Sequence, residues 1–360
     1  MGAEEIGARF HRLLEYTLEV NATDLHICPG LRPSVRRNSL LEPVPETEKA
    51  GADYVANLVP LLLDKTKIKR LKKKGAVDFS YSFIGKGRFR ANIYSQRGTL
   101  AMAIRALPFE IPAFESLGLP ESVRSFVKKR RGLFLATGVS GSGKSTTLAS
   151  LIDIINSNYN YHILTIEDPV EYLHSHKKSM VTQREIGGDC TTFSEALRSA
   201  LREDPDVIML GEMRDPETIA IALTAAETGH MVFSTLHTVG AAKSIDRIID
   251  SFPPQQQGQI KGQLSTVLEG VVSQQLVPKA KGGGMVVASE VMLATPAVRN
   301  LIREGKHYQI NNILQTGQAD GMQLLDYDLA RLYKAGEIGK EAAYLRAQDT
   351  RLLEQFIMRG

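Results

Sequence analysis

The residues Gly138, Val139, Ser140, Gly141, Ser142, Gly143, Lys144, Ser145 and Thr146 complete the pattern G-x-x-x-x-G-K-[ST]. Each residue type answers a need of phosphate chemistry. Glycines let backbone N–H groups converge on an anion with no Cβ in the way, and a helix starting at the end of the pattern points its positive end at the same anion. Lys144 adds a full charge, worth about 4 kcal/mol per phosphate charge at roughly 4 Å for an effective dielectric of about 20. The hydroxyl of Ser145 suits Mg²⁺. The flanking residues supply the required setting. Leu133-Phe134-Leu135-Ala136 reads as a buried strand, and Leu148, Leu151, Ile152 and Ile155 recur at i, i+3, i+4 and i+7, as on an amphipathic helix.

Hydrolysis needs a second set of groups at the same edge. Three segments end apolar runs: Ile166-Glu167-Asp168-Pro169-Val170-Glu171, Asp206-Val207-Ile208-Met209-Leu210-Gly211-Glu212, and Gly229-His230 through Leu236-His237-Thr238. A carboxylate at a neighbouring strand end is required to orient or deprotonate the attacking water, and Glu212 stands in that position. Glu167 or Asp168 would face the metal's water shell. His237 follows an apolar strand and is placed to hydrogen-bond the γ-phosphate, although a lone histidine at such a point is otherwise structural.

The elements that must carry these groups are legible around them. Strands are expected at 133–137, 162–167, 207–211 and 231–236. Between them fall the helix from Lys144, a helix from about 193 opened by the capping box Thr192-x-x-Glu195, and a helix from Asp215-Pro216 to Gly229. Such alternation predicts an α/β core with a mainly parallel sheet and ligands at the C-terminal strand ends. The 231–236 strand is expected to complete the set. Residues 1–107 read as a separate α+β module. Ile6, Phe10, Leu13, Leu14 and Leu18 keep helical spacing; Val77, Phe79, Tyr81 and Phe83 alternate; and a turn at Gly85-Lys86-Gly87 leads to a partner strand with Phe89, Ala91 and Ile93. The segment 108–120, with three prolines and a glycine, is expected to be a linker.

The chain has 360 residues, 43% of them hydrophobic and 23% charged, as in ordinary globular proteins. Two cysteines, Cys28 and Cys190, cannot build a disulfide framework or a thiolate zinc site, and a reducing compartment is expected. The first twenty residues are too charged for a signal peptide, and no apolar run of about 20 residues occurs. Net charge is +4. Basic runs at 65–74 and 128–131 read as solvated helix faces, with nucleic acid or anionic lipid as the alternative partners.

Together, Gly138–Thr146, Ile166-Glu167-Asp168-Pro169, Leu210-Gly211-Glu212-Met213-Arg214-Asp215 and Thr228-Gly229-His230 through Thr238 resemble the Walker A, Asp box, atypical Walker B and His box of the secretion-type hexameric ATPases. Ala22-Thr23-Asp24-Leu25-His26 matches that family's N-terminal signature. Ala297-Val298-Arg299-Asn300-Leu301-Ile302-Arg303-Glu304 resembles the C-terminal AIRNLIRE motif of its type IV pilus retraction motors, with Val298 in place of Ile. Assembly and export ATPases of the superfamily typically carry a tetracysteine zinc site, which two cysteines cannot form. The resemblance implies a RecA-like P-loop ATPase domain over 121–360, with C-terminal helices from about 295, preceded by a smaller PAS-like α+β domain. It implies ATP and Mg²⁺, with Ser145 as the main protein ligand because Gly211 replaces the usual Asp. It assigns Glu212, Glu167, His230 and His237 to the catalytic set, joined by Arg90 and Arg105 reaching the γ-phosphate of a neighbouring subunit. It also implies a homohexamer in the cytoplasm, docked peripherally at the inner membrane on a pilus platform protein, with an accessory retraction ATPase as possible partner and no nucleic acid.

Overall fold

The computed structural model describes residues 2–37, 40–108 and 110–358. Two compact units separate: residues up to Glu110 together with Glu171–Leu173, and Ile111–Val170 together with the chain from His174 onward.

In the first unit, helix α1 (Ala3–Glu19) buries Ile6, Phe10, Leu13 and Leu14 on one face. Strands β1 (Asp24–Ile27), β2 (Ser34–Arg37), β3 (Leu40–Pro43), β4 (Ala76–Phe83), β5 (Gly87–Gln96) and β6 (Thr99–Leu107) form one sheet in the order β3-β2-β1-β6-β5-β4. Every pairing in it is antiparallel. The period of two expected for β5 holds, with Phe89, Ala91 and Ile93 buried and Arg90 exposed. Helices α2 (Tyr54–Leu62) and α3 (Lys65–Lys74) complete the unit. Asp64 caps α3 by accepting from Thr66 N and Lys67 N, and Leu71 is the one α3 residue buried among those described. The basic run at 65–74 therefore clothes a helix with very little core contact.

The second unit begins inside the segment expected to be a linker. Phe114 there is buried and packs, with Val123, Phe126 and Val127 around the short helix α4 (Glu121–Arg124), against the following domain. Its sheet has seven strands: β7 (Gly132–Thr137), β8 (His162–Glu167), β9 (Met180–Glu185), β10 (Val207–Leu210), β11 (Met231–Leu236), β12 (Leu268–Pro278) and β13 (Met285–Leu293). The order is β13-β12-β7-β11-β10-β8-β9, with only β13 antiparallel to its neighbour. The sheet thus does not end with 231–236. β9 is a polar edge strand without a clear alternation, and β12–β13 is a hairpin turned by Gly282, Gly283 and Gly284 at positive φ.

Both faces of this sheet are covered. Leu133, Leu135, Ile208, Leu210 and Val232 face α6 (Phe193–Ala200), α7 (Pro216–Glu227), α8 (Ala241–Asp250) and α9 (Pro254–Val267), while Phe134, Ala136, Met209 and Phe233 face α5 (Lys144–Asn158). The expected caps form: Thr192 accepts from Glu195 N, and Asp215 accepts from Thr218 N at 2.8 Å. Five further helices close the chain, α10 (Pro296–Glu304), α11 (Ile310–Thr316), α12 (Leu325–Lys334), α13 (Lys340–Arg346) and α14 (Thr350–Met358). The last three pack with Val277 and Ala288 into a small core of their own.

His174 of this unit is buried with no partner on either ring nitrogen. Burial pushes its pKa down to about 4 from the ordinary 6.5. The folded chain therefore keeps the neutral ring while the unfolded chain takes up a proton, and stability is lost as pH falls from about 6.5 toward 4. Between pH 7 and pH 5 this single group should remove about 2 kcal/mol. The replacement His174→Leu should flatten that part of the curve in denaturant unfolding at the two pH values; equal acid loss in variant and wild type would refute it.

Candidate active site

The parallel ladder places four strand ends side by side. β11 lies between β7 and β10, and β10 lies between β11 and β8, so the segments after Thr137, Glu167, Leu210 and Leu236 leave the sheet along one edge. Backbone bonds carry the order past the strands: Gly138 N donates to Leu236 O at 3.2 Å, Gly211 N to Ile166 O at 2.8 Å and Met213 N to Thr235 O at 3.3 Å.

The phosphate loop turns on glycine. A Cβ at Gly138 would lie 2.4 Å from Gln274 O and 2.6 Å from Ser142 Oγ, and Gly141 and Gly143 have φ of +75° and +92°. Helix α5 starts at Lys144 with Gly143 as N-cap and no side-chain cap, leaving its first N–H groups directed into the loop. Ser142 Oγ is buried without a partner, and Lys144 Nζ donates to Gly138 O and Val139 O, both at 2.9 Å. Ser145 is exposed on the first helical turn. Uncapped amides, an unpartnered buried hydroxyl and an ammonium fit a polyphosphate with its divalent cation.

Two strands away, Glu212 has a side chain only 12% exposed and is held from both sides. Arg214 Nη2 lies 2.5 Å from Oε1, and His237 Nε2 lies 3.2 Å from Oε2. The Glu212 carboxylate holds the Arg214 guanidinium above its ordinary pKa, with Asp168 adding to the effect. Arg214 lies within the quoted motif, yet its role was invisible in sequence because it depends on how the loop after β10 folds back. Gly211 is also explained. A Cβ there would meet Ile166 O at 3.3 Å and Glu167 Cα at 3.4 Å, so the backbone of β8 would have to give by a few tenths of an ångström to admit the usual Asp.

Glu167 ends β8 and is buried, accepting from Thr165 Oγ1 at 2.7 Å and Gln183 Nε2 at 3.1 Å. Its neighbour Asp168 is exposed. His230 departs from expectation. It precedes β11, whose six residues carry it roughly 20 Å from His237, to the opposite edge of the sheet. There His230 Nδ1 donates to Ala225 O at 2.9 Å, a bond that closes the α7–β11 turn. The motif is continuous in sequence but straddles a strand, so within one chain His230 is not brought to the phosphate loop.

Arg90 and Arg105 lie in the first unit as direct cross-strand partners, and Arg105 is in turn opposite Asp24. Asp24 Oδ1 accepts from Arg105 Nε at 2.9 Å. Both arginines are exposed. Like charges set directly opposite one another destabilise a sheet, and Asp24 offsets only part of that cost. The second basic cluster is partly consumed internally, since Lys129 pairs with Glu269 at 2.7 Å. Glu269 also accepts from Arg299 Nη2 at 2.7 Å, while Arg299 donates to Ser265 O and Thr266 O at the end of α9. In α10, Val298 and Ile302 are buried and Asn300, Arg303 and Glu304 are exposed. Half of the 297–304 motif is thus anchorage.

A glycine-cradled phosphate loop beside a clamped glutamate, on the edge of a parallel sheet, defines a P-loop nucleotide site. Residues 101–326 match the type II/IV secretion system protein family, and the chain belongs to it. Over 336 residues it is 45% identical to the type IV pilus retractation ATPase PilT of Pseudomonas aeruginosa, covering 93% of this chain and 97% of that protein. Over 300 residues it is 48% identical to a twitching motility protein of Neisseria gonorrhoeae, covering 83% and 80%. A crystal structure of the pilus retraction motor PilT with bound ADP aligns with a TM-score of 0.89 at 46% identity, covering 95% of this chain and 98% of that one.

Because a Cβ at residue 138 must displace main chain, Gly138→Ala should abolish nucleotide binding while leaving the fold intact. Calorimetric titration with ADP checks this; affinity within threefold of wild type would show that the loop yields.

Proposed function

We propose that the chain is an ATP-hydrolysing motor that retracts type IV pili, the work behind twitching motility. What carries the reading is its likeness along nearly the whole of the P. aeruginosa retraction ATPase, joined to a phosphate loop and a clamped Glu212 on the same sheet edge. Residues Gly138–Thr146 bind the phosphates of ATP through main-chain N–H groups and the Lys144 ammonium. Mg²⁺, bound at Ser145 with Glu167 or Asp168 facing its water shell, supplies charge neutralisation across the terminal phosphates.

In this reading Glu212 is the general base. Arg214 holds one oxygen of the carboxylate and His237 fixes the direction of the other, so the carboxylate meets the attacking water without reorganising. Arg90 and Arg105 come from the N-terminal, PAS-like domain of the next subunit in a homohexamer and reach the γ-phosphate. Adjacent guanidiniums that repel in the free domain, where Asp24 pairs with Arg105, gain a further counter-charge when a phosphate sits between subunits, so ATP favours closure and its cleavage releases it. An arginine supplied in trans is worth roughly 10³ to 10⁵ in turnover. The ring would act in the cytoplasm on a pilus platform protein of the inner membrane, alongside an accessory retraction ATPase. Among the described residues no helix is long and apolar enough to cross a membrane, which fits peripheral docking.

Glu212→Gln should bind ATP and lose at least about 10²-fold in hydrolysis. An Arg90→Ala, Arg105→Ala double variant should also be slow alone, and mixing it with Glu212→Gln subunits should recover activity, since each supplies what the other lacks. Mixed rings that stay as slow as either parent would refute the shared site. In a strain without its retraction motor, the wild-type chain should restore twitching and Glu212→Gln should not; failure of the wild type would overturn the retraction reading.

A further inference from the structure

Behind the His237 end of the site lies a carboxylate with no place in the hydrolytic set described above. Glu290, on β13, is 1% exposed. Its Oε1 accepts from Ala241 N, the first residue of α8, at 2.6 Å, and its Oε2 accepts from Gln348 Nε2 at 3.3 Å. Helices are ordinarily capped by a short polar side chain at the residue just before them. Here that residue is Gly240, and the cap arrives from 49 positions away.

The segment His237–Gly240 is fastened at its far end. Gly240 N donates to Ser273 Oγ at 2.8 Å, Ser244 Oγ donates to Gly240 O at 2.7 Å, and Thr238 Oγ1 lies 2.6 Å from Ser244 Oγ. Gly240 has φ +99°, and a Cβ on it would lie 3.5 Å from Gln348 Nε2 and 3.7 Å from Glu290 Oε1. At its near end the segment carries the His237 ring that bonds Glu212. Only Thr238, Val239 and Gly240 therefore separate the glutamate's partner from the residue that bonds the buried carboxylate.

On the other side, Gln348 belongs to the turn between α13 and α14. Its N donates to Asp326 Oδ1 of α12 at 2.8 Å, Asp349 N donates to Asp326 Oδ2 at 3.0 Å, and Asp349 Oδ1 accepts from Arg351 N and Leu352 N at the start of α14. The two oxygens of Glu290 thus join the end of the site to the C-terminal helices. Burial pushes the Glu290 carboxyl above the ordinary carboxylate range, and the bonds from Ala241 and Gln348 act against that shift. An apolar residue would fill the space without this desolvation cost. The carboxylate earns its place through two acceptors directed at two different elements.

We infer that Glu290 is a positioning residue for hydrolysis: it seats the His237–Gly240 segment against Glu212 and makes that seat depend on where Gln348 holds α12–α14. This rests on the hydrolytic roles of Glu212 and His237. A displacement of the C-terminal helices, by load or by a docked protein, withdraws the Gln348 bond and slows turnover without touching the phosphate loop.

Steady-state ATPase assays on the full chain test it. Gln348 is exposed, so Gln348→Ala should fold with an unchanged thermal midpoint, and its kcat should fall about tenfold at constant KM for ATP. Glu290→Gln, which keeps an acceptor for Ala241 and lets Gln348 present its own oxygen to the new amide, should stay near wild type, whereas Glu290→Ala should match Gln348→Ala. In a His237→Ala background, Gln348→Ala should add no further loss. The inference is overturned if Gln348→Ala hydrolyses within twofold of wild type, if its effect falls on KM, or if the same factor is lost without His237. Normal hydrolysis by Glu212→Gln in the same assay would instead overturn the reading of the site.

Discussion

The site depends on the parallel register of β7, β11, β10 and β8. Every residue of β7, β10 and β11 is buried, so the four strands cannot slip by one position without moving an apolar set into the wrong layer. Their ends are consequently fixed in depth as well as in order. The bonds from Gly138, Gly211 and Met213 to neighbouring strands extend that order into the loops. Residues as distant in sequence as Gly138 and Leu236 meet here because the ladder leaves their loops nowhere else to emerge.

Close packing of the main chain accounts for the places where side chains are missing. At Gly138 the β12 carbonyl of Gln274 occupies the space of a Cβ, and at Gly211 the β8 backbone would crowd one. The second case bears on chemistry. A strand-end Asp would sit tightly against β8, and the first side chain beyond the ladder on that path is Glu212. Arg214 and His237 then hold it while remaining 68% and 55% exposed themselves, so the glutamate is fixed by groups that other surfaces can reach.

The phosphate loop, Glu212, the helix caps and the alternation of β5 were legible in sequence because each is a local pattern: a turn, a strand end, a cap three residues long, a period of two. What stayed hidden was long-range. Arg214 is read only once the loop after β10 is seen to return on Glu212. β9 lacks a clear period at the sheet edge, and β12–β13 required knowing that β7 had a free side. His230 is the converse case: its motif is contiguous in sequence but not in space, because a six-residue strand runs through it. The linker likewise hid Phe114, whose burial no proline count reveals.

The division between anchored and free groups suits a machine that must convert cleavage into displacement. The loop backbone, the strand ends and Arg299 are fixed by buried or multiply bonded contacts. The arginines at 90 and 105, the His237 ring and the Gln348 side chain are exposed and held by few bonds each. Small packed cores switch between discrete arrangements more readily than they deform, and α12–α14 form such a core around Val277 and Ala288 at the end of the β12–β13 hairpin. Because Glu290 sits on that same hairpin and accepts from Gln348, a shift of the small core acts on the site through that one bond, while β12, paired to β7, keeps the hairpin itself in place.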